Sequence, residues 1–138
     1  MNASYEGDYY GWAFEKAERL RAGEPVDAEN IAEELEDLGR HERHRLESRL
    51  ARLIEHLLKI EHQPNKHTRS WDVTITEQRW QAVKILKENP SLKPKLNDII
   101  ADSYRLAVYK VIRETGLDEK AFPAECPYTA EHLLGSGV

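Results

Sequence analysis

Residues 54–80 read IEHLLKIEHQPNKHTRSWDVTITEQRW, two helical patterns that meet at a proline. Upstream, Leu46, Leu50, Leu53, Leu57 and Ile60 recur at steps of three and four, which places them on one side of an α-helix. Downstream, Trp71, Ile75, Gln78, Arg79, Ala82 and Leu86 follow the same period. Pro64 has no amide hydrogen and biases Gln63 away from helical torsions, so the upstream helix reaches only to Gln63. The chain then turns across NKHTR, and Ser70 is the expected N-cap of a helix over about Trp71–Glu88. Two amphipathic helices joined at a corner are the elementary unit of a helical bundle.

The pattern extends in both directions. The upstream stripe also takes in Ile31, Leu35 and Leu38, which makes one long helix that starts at an Asp27 cap and bends near Gly39. Before it, Tyr9, Trp12, Ala13, Lys16, Ala17 and Leu20 mark a first helix over about Asp8–Ala22, ended by Gly23 and Pro25. After Asn89 and Pro90, Ser91 is the expected cap of a fourth helix, whose apolar arc runs from Leu92 to Ile112 and which Gly116 closes. The tail, with Pro123 and Pro127, leaves room for one short helix over Thr129–Leu134. The expected fold is all-α: one domain over residues 1–138, a bundle of four main helices with a long second helix and a short C-terminal helical tail.

Composition narrows the function classes. With 33% charged residues and a net charge of −5, the chain is expected to be soluble and to show no general attraction to nucleic-acid backbones or anionic membranes. No apolar run is long enough to cross a bilayer. Cys126 stands alone, which excludes an internal disulfide, and MNASYEGDYYGW lacks the basic and apolar regions of a secretory signal. A reducing, cytoplasmic setting is the expectation.

The fragments YEGDYYGWAFEKAERLRAG, NIAEELEDLG, HLLK, QP, SWDVTITEQR, NPSLKPKL, ETGL and FPAECPY occur in that order over nearly the whole chain. Together they resemble the bacterial family catalogued as domain of unknown function 29. The resemblance implies a small all-helical protein and brings no assigned activity. Its polar motif positions fall on Glu33, Glu34, His56, Lys59, Gln63, Ser70, Trp71, Thr74, Gln78 and Arg79, and Trp80 looks particular to this sequence.

Several polar constellations can be weighed from spacing alone. Arg45, Arg49, Arg52, His56, Lys59 and Gln63 form a basic ribbon beside the apolar stripe. It reads either as a solvated flank whose aliphatic stems cover the core, or as a groove for an anion or an acidic partner. Arg79 interrupts an apolar face and calls for a carboxylate, with Glu33 and Glu34 as the expected partners in a structural clamp. Asp37, His41 and His44 share the face opposite the stripe, where solvent rather than a metal is the expected neighbour. His62 and His67 flank the corner without a recognised metal-binding spacing, so neither metal nor cofactor is expected. Cys126 beside Pro127 lacks an evident activating base. Val73 and Trp80 leave the main stripe, which points to cover by the tail through Phe122 and Tyr128, or to an oligomer contact.

No catalytic constellation emerges, so the expected function is a non-enzymatic interaction or regulatory module that takes a protein partner or a second copy of itself. The alternative is a ligand or enzymatic site at the Pro64 corner, with His56 as acid or base, Arg79 as anion clamp and Gln63 and Gln78 as orienting groups. A third reading is nucleic-acid contact along the flank from Arg45 to Lys59.

Overall fold

A computed structural model describes residues 3–136, and every regular element among them is helical. Helices α1 (Tyr9–Arg21), α2 (Ala28–His62), α3 (Arg69–Glu88) and α4 (Leu96–Thr115) are long, and α5 (Ala130–Leu134) is a single short turn. Three 3-10 turns, Pro64–Lys66, Pro90–Lys95 and Glu119–Ala121, fill connections. None of these helices is long and apolar enough to cross a membrane. Packing separates two compact units, which part between Arg40 and His41 within the continuous helix α2.

In the first unit, Asp8 starts α1 by accepting the Gly11 amide at 3.0 Å. Trp12 is its buried anchor. The indole Nε1–H donates to Asp27 Oδ2 at 2.9 Å, just before α2, and Tyr5 tilts against the indole with ring centroids 4.6 Å apart. Tyr5 also donates its hydroxyl hydrogen to Glu34 Oε2 at 3.2 Å, which ties the N-terminal segment to α2. The expected apolar faces are otherwise only half covered: Ala13, Ala17 and Ile31 are half-buried, while Tyr9 and Leu20 on α1 and Leu35 and Leu38 on α2 are exposed, as is Phe14 outside the expected face.

Helix length accounts for part of that exposure. The 35 residues of α2 extend for about 52 Å, whereas the 20 residues of α3 and of α4 each reach about 30 Å. The apolar period along α2 therefore continues beyond the part of the helix that belongs to the second unit. Gly39 lies in this open portion, and a Cβ built there would meet nothing within 4 Å.

The second unit holds the main core. Leu46, Leu50, Leu53, Ile54 and Leu58 from α2 join Ile75, Ala82, Ile85 and Leu86 from α3 and Leu96, Ile99, Ala107 and Val111 from α4. Phe122, Leu133 and Leu134 bring in the tail, so α5 is a core element and lies against α3 and α4. Truncation of a side chain such as Leu50, fully buried here, costs about 2–5 kcal/mol in proteins generally.

Two helix starts differ from the sequence reading. α3 begins one residue before Ser70, after Thr68, because the amides of Trp71 and Asp72 already bond the Thr68 carbonyl. Ser70 lies exposed inside the first turn. The fourth helix starts at Leu96 rather than after Ser91, since Pro90–Lys95 winds as a tighter 3-10 segment in which the Leu92 amide bonds Asn89. At its other end Gly116 takes φ 74°, the left-handed cap that the sequence called for.

Candidate functional site

The polar residues of the Pro64 corner divide among separate partners. His56, about two turns before the corner, is buried on α2. Its Nδ1 lies 2.9 Å from the Arg52 carbonyl, which can only accept, so Nδ1 carries the hydrogen and neutral Nε2 remains an acceptor. The ring meets Trp71 edge to face, with centroids 6.4 Å apart. Burial, with a smaller contribution from nearby Lys59, pushes the His56 pKa below its usual value against the opposing pull of the Arg52 carbonyl.

Lys59, one helical turn further on, is buried beside the same indole. Its Nζ stands 4.9 Å from the Trp71 ring centroid and donates to Glu114 Oε2 on α4 at 3.1 Å. Trp71 thus receives an imidazole edge and an ammonium group, and His67 stacks on it at 6.2 Å with the planes 17° apart. His67 Nε2 in turn contacts Asp72 Oδ1 at 2.6 Å. Gln63 ends α2 through its own amide, bonded to the Lys59 carbonyl, and Thr74 is half-buried one turn after Trp71.

Gln78 and Arg79 go elsewhere. Gln78 is buried and its Oε1 accepts from Arg49 Nη1 at 3.4 Å, a long contact that links α3 to α2. Arg79 donates Nε–H to the Leu133 carbonyl at 2.8 Å. The carboxylate clamp expected with Glu33 and Glu34 is therefore replaced by a carbonyl, because the last carbonyls of α5 lack N–H donors within so short a helix. Glu34 is held by Tyr5 within the first unit, and Glu33 is exposed.

The basic ribbon is also split. Its lower members, His56 and Lys59, are buried at Trp71, while Arg45, Arg49 and Arg52 line an open groove of about 370 Å³ with Gln78 and Lys110. His41, His44 and Ser48 complete its wall. Arg45 is held by Glu42 at 2.9 Å, and His44 by Glu47 at 3.2 Å. Among the described residues, Arg49, Arg52 and Lys110 have no carboxylate within ion-pair distance.

The C-terminal segment is more elaborate than its sequence suggested. Tyr104 donates to the Pro123 carbonyl at 2.6 Å beside a hollow of about 700 Å³, which Val108, Tyr109, Phe122 and Cys126 help to line. Burial pushes the Cys126 thiol up, the opposite of nucleophile activation. Tyr128 bonds Glu61 at 2.9 Å and stacks on His132, while Phe122 packs on His62. Neither aromatic covers Trp80, contrary to the tail-cover expectation: Trp80 and Val73 remain exposed, with Lys84 Nζ 5.4 Å above the indole.

The sequence pattern described as Domain of unknown function DUF29 matches residues 4–137. The chain belongs to the DUF29 family. No curated protein and no solved structure matches it. The DUF29 match spans α1 to α5, so both the open helical hairpin and the cationic groove lie within the family's own extent. The residues that spacing alone failed to single out are Lys110, Glu114 and Glu61, each more than fifty positions from its partner or groove neighbours on α2 or in the tail; pairwise contact over that distance leaves no periodic signal.

Proposed function

We propose that this chain is a cytoplasmic, non-enzymatic interaction module of a bacterial cell, and that its first unit is the docking element. The observation that carries this reading is the poverty of that unit's own core. Trp12 is the one large apolar side chain buried there among the described residues, while Tyr10, Phe14, Leu35 and Leu38 are 75, 62, 63 and 57% exposed. A segment of some forty residues buries too little surface to hold itself together without help. Clustered exposed apolar groups on such a segment mark a contact surface.

A second copy of the same hairpin is the occupant we favour. Two helical hairpins, each with an exposed apolar pair on either helix, complete a four-helix arrangement in which Tyr10, Phe14, Leu35 and Leu38 leave water. The dispersal of His56, Gln78 and Arg79 to different partners further supports an interaction role over a catalytic one. Sedimentation equilibrium of the full chain and of Phe14→Glu and Leu35→Glu is the test. A dimer that the charges weaken supports the reading; a monomer at every concentration that also retains no protein partner on copurification overturns it.

A further inference from the structure

The groove on α2 has a composition that protein docking does not require. Arg45, Arg49 and Arg52 follow one another at i, i+4 and i+7, so their stems rise from one face of the helix over about 10 Å. Lys110 approaches from α4, and buried Gln78 forms part of the wall from α3. The lining contains four permanent cations, two histidines, a serine and a glutamine, and no carboxylate. In a chain of net charge −5 such a concentration of positive charge is local, and it is set against acidic neighbours such as Glu42 and Glu47.

Cations this close repel one another, and that repulsion is relieved by an anion that bridges them. Arg49 and Arg52 have no carboxylate partner among the described residues, so their guanidinium forks are available for paired hydrogen bonds to oxygen anions. Lys110 adds a point charge from the opposite side, and Ser48 and Gln78 add neutral hydrogen-bonding groups.

We propose that this groove binds an oligophosphate: a compact run of about two or three linked phosphate groups, whether free or carried on a nucleotide. Arg45 is already held by Glu42, so Arg49 and Arg52 on α2 with Lys110 on α4 are the three cations left for the ligand, and three cations favour several linked charges over a single orthophosphate. A long polyanion is disfavoured, because the positive strip is bounded by Glu42 and Glu47 and the protein as a whole is acidic. The Arg49 contact to Gln78 is long at 3.4 Å, and a phosphate oxygen competes readily with an amide carbonyl for that donor.

Isothermal titration of the full chain with sodium tripolyphosphate, in about 0.15 M salt, tests the proposal. One tripolyphosphate per chain is expected, with affinity that falls as salt rises. Arg49→Ala/Arg52→Ala should weaken it by about a hundredfold and Lys110→Ala by about tenfold, as loss of charge-assisted contacts dictates. Lys87→Ala, outside the groove, should leave it unchanged, and circular dichroism separates loss of binding from loss of fold. ATP that binds with similar affinity and the same variant profile places the phosphate on a nucleotide; weaker ATP binding points to a free oligophosphate. The proposal is overturned if tripolyphosphate gives no heat, if citrate binds equally well, if the folded variants bind undiminished, or if single-stranded oligonucleotides bind more tightly with increasing length.

Discussion

His56 and Trp71 meet edge to face, their ring planes at 89°, so the imidazole of α2 rests on the first turn of α3 immediately after the Pro64 corner. The contact favours the neutral imidazole because it lies away from water, and a protonated ring there would share its surroundings with Lys59 and Arg52. With its pKa lowered in the folded protein, His56 takes up a proton more readily once unfolded. Stability is full above the ordinary histidine value of 6.5 and declines as pH falls from there to the folded pKa, below which this contribution no longer changes. His56→Gln should flatten that segment of the curve. Urea denaturation midpoints at several pH values between about 7.5 and 5 provide the measurement, and an identical slope in the variant would remove His56 as its cause.

Lys59 and Glu114 form an unequal pair, the lysine side chain 11% exposed and the glutamate 52%. Removal of the glutamate leaves a buried ammonium group with only the Trp71 ring for compensation, whereas removal of the lysine leaves a carboxylate that water can solvate. Glu114→Gln is therefore expected to destabilise the protein by about 1–2 kcal/mol, and Lys59→Met by about half that or less. Chemical denaturation of both variants checks the order of the two effects, which a simple surface ion pair would make equal.

Arg79 anchors the tail through one side-chain bond to the Leu133 carbonyl. Helix α5 has five residues, too few to persist without tertiary support, and its Leu133 and Leu134 are part of the core. Arg79→Ala should cost about 1.5–3 kcal/mol, and the amide of Gly135, which closes on Glu131, should exchange faster with solvent than in the parent. Arg79→Lys should recover little of this, since a lysine cannot present the same planar Nε–H to the carbonyl. Full recovery by lysine would mean that charge near α5, rather than this bond, matters.

The sequence carried the helical framework because helix formation leaves a local record: periodic Leu and Ile, the Pro64 break and the glycine at position 116 all act within a few residues. What it lacked was any record of cover. Leu35 and Leu38 have the same spacing as Leu50 and Leu53, yet the first pair is exposed and the second buried, since burial depends on what packs over each pair and not on period. The same limit governs the site. His56, Lys59, Trp71 and Gln78 were visible as unusual residues on helix faces, but Lys110 and Glu114 lie on α4 and enter the groove and the ion pair only through folding. Arg79 illustrates the sharper failure: its need for an acceptor was legible, and a backbone carbonyl, which every residue possesses, met it.

Asp27 offers the clearest test of how the first unit is held. Its Oδ2 accepts from Trp12 at 2.9 Å and from Asn30 at 3.2 Å, while Oδ1 has no hydrogen bond and faces Lys16 Nζ at 3.5 Å. The Trp12 bond, with help from Asn30 and Lys16, holds the carboxyl down to about 2, below its ordinary 3.8. Because the folded value is the lower one, the stabilisation is complete above 3.8 and is lost as pH falls toward about 2. Trp12 fluorescence, recorded in a Trp71→Phe/Trp80→Phe background, should report loosening of the hairpin in that acid range. Asp27→Asn keeps an acceptor for the indole but cannot titrate, so its hairpin should be weaker at neutral pH and its signal should lack the Asp27-dependent acid step. An acid step of undiminished size in Asp27→Asn would assign the transition to other carboxylates and leave the Trp12 contact without its expected electrostatic control.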